Sequence, residues 1–285
     1  FTIMKKLSLL LVVATVALFG CKSGGDDPDG GGAPTTYTAK AVLEYFSGAW
    51  CGFCPDGKFM AEEIKSRVPA GTFDYLVYHL GDQMDILDDD DIDDKFANGY
   101  PTGMINRIDG EAGSRYAGSM SNYSQYNTEK NNGWLIKTKA VQAETAKCGL
   151  AIDASAQTGN TLNVKVDLGI GSEGLPEGDY YISCILYEES MTGSGTGWDQ
   201  VNYFSKFGSA VFGASHPYYE QADPILGYDH TNVVRAILHS NPLGDAIDNA
   251  ALAAGTETSF DFSVDLSPFD SDLKVVAWIH EYSEG

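Results

Sequence analysis

The spacing of apolar positions changes near residue 147 and divides the chain into two parts. In the first part, continuous apolar runs at 41–46 and 73–80 predict buried strands, and apolar residues at helical spacing within 56–67 predict a helix between them. In the second part, apolar and polar residues alternate with a period of two, which is typical of strands that bury one face.

Six candidate strands make up the second part, and turns rich in Gly, Asn or Pro separate most of them. They cover 148–157, 162–170, 179–188, 231–239, 258–266 and 273–282. Strands of this number and spacing favour an immunoglobulin-like β-sandwich. We therefore predict an α/β domain over residues 37–147, with a central mixed sheet flanked by helices, and an all-β sandwich domain over residues 148–285.

The N-terminal residues 1–20 have the features of a bacterial lipoprotein signal peptide, with extra residues before Met4. A positive start precedes an apolar run at 7–19, which ends in a small residue followed by Cys21. The run is short for an uncleaved anchor helix, which is the alternative. We predict that Cys21 is lipidated and anchors the chain to a membrane, and that residues 21–36, rich in Gly and Asp, form a flexible tether.

The strongly acidic composition limits the choice of partners. The formal net charge is −22, and such a field repels nucleic acid and anionic lipid. A GxGxxG pattern at 169–174 is followed by Leu and Pro rather than by a helix, so it does not predict dinucleotide binding. The acid-rich stretch 82–94 lacks the spacing of a calcium loop and is interpreted as a solvated helix start. We predict no cofactor, no metal and no nucleic acid.

The main chemical motif is WCGFCP at residues 50–55, where Cys51 and Cys54 lie between a predicted strand and a predicted helix. A helix N-terminus lowers the pKa of a thiol from ~8.5 to roughly 3.5–7.5, which favours a thiolate nucleophile near neutral pH. The pattern is typical of thiol–disulfide exchange. Half of a zinc site or a structural disulfide would have the same spacing, although no second CxxC supplies further zinc ligands.

A second motif, Tyr100–Pro101–Thr102, precedes an apolar strand. Together with the cysteine pair it resembles the cis-proline loop of the thioredoxin superfamily, and the resemblance covers about residues 37–146. It implies a thioredoxin-like fold for the first domain. It also implies roles at the site. Cys51 would attack a substrate and Cys54 would resolve the mixed disulfide. Tyr100 and Pro101 would dock the substrate backbone, and Trp50 would shield the pair.

The same resemblance implies a buried acid on the incoming strand, which helps to deprotonate the resolving thiol, and Glu44 is the candidate. Glu44 lies one residue further from Cys51 than the thioredoxin pattern expects. A bulge at Gly48 would restore the alignment.

The whole chain resembles the family of lipoproteins related to a twenty-eight-kilodalton outer membrane protein. The resemblance rests on the predicted lipidation site, the cysteine motif and the segments 99–107 and 230–235. It implies an outer-membrane location and little about activity. Two hypotheses remain. One is thiol–disulfide exchange with extracytoplasmic protein thiols and disulfides. The other is a non-catalytic module for cell-envelope binding or adhesion, in which the sandwich binds a surface protein or glycan and the cysteine pair is a structural disulfide.

Two further features have alternative interpretations. Cys148 and Cys184 share strand parity with apolar neighbours, so both are predicted to be buried, either as a disulfide or as two free thiols. Aromatic residues cluster in the long connection at 203–219, where they would form a binding patch or pin the connection to the body of the protein.

Overall fold

The computed structural model describes residues 37–86, 90–108, 113–114, 132–208, 214, 216–269 and 273–282. The predicted signal peptide, the lipidation site Cys21 and the tether lie outside these residues. Within the described ranges, no helix is both long enough and apolar enough to cross a membrane.

The first half of the chain forms a mixed sheet flanked by helices. Its elements are β1 (Ala41–Ser47), α1 (Cys54–Arg67), β2 (Phe73–His79), α2 (Asp90–Phe96), β3 (Thr102–Ile105), β4 (Gly113–Ser114) and α3 (Gly133–Gln142). β1 pairs with β2 in parallel and with β3 antiparallel. Every residue of β1 and β2 is buried, as expected for strands covered on both faces.

The regular elements of the second half are strands, apart from one short helix. They are β5 (Cys148–Thr158), β6 (Thr161–Ile170), β7 (Tyr180–Met191), β8 (His230–Ile237), β9 (Asp245–Ala246), a short 3-10 helix (Asn249–Leu252), β10 (Glu257–Asp265) and β11 (Leu273–Glu281), and a long connection joins β7 to β8. All six predicted strands are therefore present, with bounds within three residues of those expected from the alternation.

The strands of the second half divide between two sheets. The larger sheet has the order β11-β7-β8-β2-β1-β3-β4, with β9 paired to β7, and the smaller antiparallel sheet has the order β10-β6-β5. β8 joins β2 in parallel through Val77 and Val233. One continuous sheet thus crosses the domain boundary predicted at 147/148. The small sheet packs against β7 and β11 of that shared sheet.

The two faces of the large sheet have different cover. One face packs against α2, with buried side chains from β1, β2, β7 and β11 in a single cluster. The opposite face carries α1 and α3 over β1 and β2, and the small sheet over β7 and β11. The cysteine motif lies on this second face, at the end of β1.

Candidate functional site

The cysteine pair lies where β1 ends and α1 begins, as the sequence predicts. Cys51 and Cys54 form a disulfide with a Cα–Cα distance of 5.4 Å. The N–H of Cys54 donates to the carbonyl of Cys51 at 3.1 Å, and Pro55 occupies the first turn of the helix, where its missing N–H costs no hydrogen bond. The first-turn N–H groups and the helix dipole favour a thiolate at this position.

The disulfide is enclosed rather than exposed. Cys51 is 5% exposed and Cys54 is 1% exposed. The enclosure comes from residues 200–204, in the long β7–β8 connection, which we call the covering segment. The N–H groups of Val201 and Tyr203 donate to the carbonyls of Ala49 and Gly52 at 2.8 and 3.0 Å.

Side chains strengthen this contact. The Gln200 carboxamide donates to the carbonyl of Cys51 at 2.9 Å. The Tyr203 ring lies so close to Gly52 that a Cβ at that position would overlap it. Phe53 meets Tyr203 and Phe204 edge-to-face, with ring centroids 5.2 and 6.0 Å apart.

A buried histidine–carboxylate pair fixes the same connection to α1. His216 Nε2 lies 3.0 Å from Asp56 Oδ1, and both side chains are buried. The His216 ring stacks on Phe204 with a centroid distance of 3.6 Å. The described aromatic residues of the cluster predicted at 203–219 therefore pin the connection to the cysteine loop and the start of α1. Residues 209–213 and 215 of that cluster lie outside the described residues.

The proline loop is adjacent to the motif. The Tyr100–Pro101 peptide bond is cis, as predicted. The Tyr100 ring meets the Trp50 ring edge-on at 5.2 Å, and its hydroxyl donates to Asp93 at 2.7 Å. Trp50 is 48% exposed and its indole N–H donates to the carbonyl of Leu80. Trp50 and Tyr100 thus border the cysteine loop, and the covering segment encloses it.

Glu44 does not join the site. Its carboxylate is buried in the cluster on the α2 face and receives two hydrogen bonds from Arg107, at 2.6 and 2.7 Å, and one from Tyr78 at 2.9 Å. β1 and β2 pair in unbroken register from Ala41 to Ser47, so no bulge within that strand moves Glu44 to the other face. The next residue, Tyr45, points to the cysteines instead. Its hydroxyl donates to the carbonyl of Cys54 at 2.6 Å.

A small cavity behind the disulfide contains the groups that sequence reasoning missed. Cys54 lines it together with polar side chains, among them Tyr45, Ser47, His79 and His230. His79 and Ser47 are paired at the ends of β2 and β1, where the chain also leaves β1 for the cysteine loop. A histidine at the end of the strand next to the motif strand is the sequence signal that would have identified this site.

His79 is held in one orientation by a carboxylate. Its Nδ1 lies 2.7 Å from Asp82 Oδ2, and that oxygen also accepts from the N–H of Ala49 at 2.7 Å. Burial would raise the pKa of Asp82, but the hydrogen bonds from His79 and from backbone N–H groups outweigh it and lower the pKa. A carboxylate oxygen only accepts, so Nδ1 carries the hydrogen of this contact. Nε2 has no hydrogen-bond partner among the described residues.

Burial lowers the pKa of two neighbouring basic side chains, His230 and Lys58. Burial and the nearby His79 lower the pKa of His230 to about 4, so this ring is neutral near pH 7. Its Nε2 donates to the carbonyl of Trp198 at 2.8 Å. Burial also lowers the pKa of Lys58, which lines the cavity. His79 is the imidazole that a carboxylate orients in the cavity beside Cys54.

The other cysteines are remote from this chemistry. Cys148 and Cys184 are buried free thiols in the cluster between the small sheet and β7. Burial raises the pKa of both thiols. The predicted burial is confirmed, and of the two alternatives the free-thiol state is present. Across the described residues, no group of three or more His, Cys, Asp or Glu side chains is arranged to hold a metal ion.

The fold has a counterpart among solved structures. HBP35 of Porphyromonas gingivalis is similar, with a TM-score of 0.57 and 16% sequence identity, over 87% of this chain and 71% of that chain. At this identity the likeness concerns the fold alone. Neither a protein-family model nor a curated protein matches the chain.

Proposed function

We propose that the protein is a thiol–disulfide exchange protein that acts on extracytoplasmic protein thiols and disulfides. The observation that carries this proposal is the position of the Cys51–Cys54 disulfide, at the first turn of α1 and beside a cavity that contains His79. An adjacent base held by a carboxylate is the usual arrangement for activating a nucleophile.

The chemistry follows in two balanced steps from the reduced pair. Cys51 thiolate attacks a substrate disulfide, so one S–S bond forms, another breaks, and one substrate sulfur leaves as a thiolate that takes a proton from solvent. The Cys54 thiol then gives its proton to His79 through a water-sized cavity and attacks Cys51 Sγ, which expels the second substrate sulfur. The protein pair loses two electrons and the substrate gains two. The reverse sequence oxidises a substrate dithiol.

The finer description of the fold belongs to the same proposal. We interpret β1–β3 with α1 and α3 as a thioredoxin-like unit, and the small sheet with β7 and β11 as the sandwich. Support comes from the cis Tyr100–Pro101 bond in the predicted position and from the likeness to HBP35. The lipoprotein pattern that ends at Cys21 supports an anchor in the outer membrane.

A second candidate function rests on the enclosure of the disulfide. Because both cysteines are buried beneath residues 200–204, the bond also suits a structural role that ties the cysteine loop to α1. In that case the sandwich would serve as a binding module for a surface protein or glycan. Fold alone does not decide between these roles.

Trapping of mixed disulfides separates the two candidates. We expect reduced Cys54→Ser protein, incubated with oxidised glutathione, to retain a glutathione adduct on Cys51, since attack is preserved and resolution is lost. Reduced Cys51→Ser protein should retain little or none, because Cys54 is buried behind the first cysteine. Intact mass measured before and after reduction gives the adduct.

The structural role predicts different results in the same experiment. Both variants would lose some stability and neither would retain glutathione. A reduction potential below about −300 mV for the wild-type pair would also favour the structural bond, whereas about −120 to −270 mV would fit an exchange protein.

A further inference from the structure

We propose that Gln200 and Tyr203 are specificity-determining residues. They restrict exchange at the cysteine pair to partners that can reach it without forming hydrogen bonds to the backbone of the cysteine loop. The consequence for exchange partners rests on the proposed function. The restriction of access itself follows from the geometry and can be measured without it.

The covering segment occupies the outward carbonyl groups of the cysteine loop. Val201 N–H binds the Ala49 carbonyl and Tyr203 N–H binds the Gly52 carbonyl, while the Gln200 carboxamide binds the Cys51 carbonyl. A protein that docks an extended strand on another backbone gains most of its affinity from such main-chain hydrogen bonds. A folded partner could form them here only by displacing residues of this chain.

The contact is a close fit rather than a loose overlay. Tyr203 packs directly on Gly52, where a Cβ would overlap the ring. The same ring meets Phe53 edge-on at a centroid distance of 5.2 Å. Gly52 does not have a left-handed φ, so its own backbone conformation would accept another residue. Glycine is required at this position because the Tyr203 ring of the covering segment leaves no room for a Cβ.

The cover is one-sided. Trp50, on the other border of the cysteine loop, is 48% exposed and makes its ring contact with Tyr100. A small thiol or a flexible end of a chain can approach along that border. A broad protein surface meets the Tyr203 side as well. The arrangement predicts discrimination by the size and shape of the partner.

The test compares a small and a large reductant on the oxidised protein. Dithiothreitol and reduced thioredoxin are each mixed with wild type, Tyr203→Ala and Gln200→Ala, and the Cys51–Cys54 bond is followed by acid quench, alkylation and mass measurement. We expect the ratio of the thioredoxin rate constant to the dithiothreitol rate constant to rise roughly tenfold in Gln200→Ala, the size of effect that corresponds to about one net hydrogen bond. The ratio should also rise in Tyr203→Ala, which removes the ring packed on Gly52.

Two further variants make the comparison sharp. Phe207→Ala is the matched control, because Phe207 is 70% exposed in the same connection and its described ring contact is with Lys206; its ratio should equal that of wild type. Gly52→Ala displaces the Tyr203 ring from the opposite side and should raise the ratio even if Tyr203→Ala folds poorly.

Equal ratios in wild type, Tyr203→Ala, Gln200→Ala and Gly52→Ala would overturn the inference. This outcome is distinct from failure of the proposed function. If Cys54→Ser retains no glutathione but the thioredoxin-to-dithiothreitol ratio still rises in Tyr203→Ala, Gln200→Ala and Gly52→Ala, the proposed function is wrong. The inference that the covering segment controls access is then still right.

Discussion

At the scale of single residues, strand parity decides which acid or hydroxyl meets the cysteines. Tyr45 faces the disulfide and Glu44 faces the opposite cluster, one residue apart on the same strand. The Glu44 carboxylate is paired with Arg107, which is completely buried. Burial would lower the pKa of Arg107, but the Glu44 carboxylate outweighs it and raises that pKa. The pair is thus a structural salt bridge on the far side of the sheet.

Removing one member of this pair should affect stability and not exchange. We expect Glu44→Gln and Arg107→Met each to lower the free energy of unfolding by ~3–5 kcal/mol, since each leaves a buried partner without its counter-charge. The double variant should lose less than the sum, because the two residues act as a unit. Denaturant unfolding measures the stability.

The rate of disulfide exchange supplies the contrast. With both cysteines present, the reduced protein should reduce oxidised glutathione at the same rate whether or not the Glu44→Gln substitution is present, because resolution by Cys54 does not use Glu44. The rates are compared without denaturant, at a temperature where both proteins are folded. A large loss of rate with unchanged folding would restore the proton role that the thioredoxin resemblance implies for Glu44.

The sequence predicts the local part of the site better than the part that is assembled over distance. The strand–cysteine loop–helix order and the cis bond before Pro101 depend on short stretches, and both are confirmed. His79 and Gln200 reach the cysteines only through sheet pairing and a long connection. For His79 the position at the end of the second predicted strand is the available signal, whereas spacing along the chain contains no information about the proximity of Gln200.

At the scale of secondary-structure elements, the strands are predicted well but their partners are not. Alternation identifies β5, β6 and β10, which bury one face. β7 has a continuous buried run from Ile182 to Tyr187, which is typical of an internal strand covered on both faces. This run indicates that β7 belongs to the large sheet. The period-two alternation of the neighbouring strands favours placing β7 with them instead.

The shared sheet predicts that the first half cannot fold alone. In a fragment of residues 37–147, β2 loses its partner β8, and the α2-face cluster loses Tyr187, Val234 and Trp278. The buried Asp74 carboxylate also loses its hydrogen bonds from Tyr187, at 2.8 Å, and Asn232, at 3.2 Å. We expect this fragment to be unfolded or aggregated.

Circular dichroism and amide hydrogen exchange measure this outcome. The control is the chain from residue 37 to 285, which keeps every strand of both sheets and should unfold cooperatively. A fragment of residues 37–147 with a cooperative thermal transition and protected amides in β1 and β2 would contradict the prediction.

At the scale of the whole molecule, buried histidines make stability depend on pH. Burial, together with His79 in one case and Arg107 in the other, lowers the pKa of His230 and His239 to about 4, and burial lowers that of His280 well below its usual value. Below the unfolded pKa of about 6.5, the unfolded chain binds protons that the native histidines do not accept. Stability is therefore present above that value and is lost as the pH falls towards 4.

We expect the free energy of unfolding to fall by up to about 3 kcal/mol for each of His230 and His239 between pH 6.5 and pH 4. Asp74 opposes this trend, because burial raises its pKa. Urea unfolding at a series of pH values gives the slope. His239→Asn should flatten the curve, and an equally steep curve in that variant would count against the assignment.

The contact between Gln200 and Cys51 joins residues 149 positions apart, and this distance has a consequence for biogenesis. A chain is made from its N-terminus at roughly 5–20 residues per second, so the cysteines emerge on the order of ten seconds before the residues that enclose them. Export behind an N-terminal signal peptide would keep the same order, so the thiols would reach an oxidising compartment first and be open there to any oxidant or folding catalyst. The Cys51–Cys54 bond can thus form before the protein is folded, by reaction with non-specific oxidants. In the folded protein the same bond is accessible to a narrower set of partners.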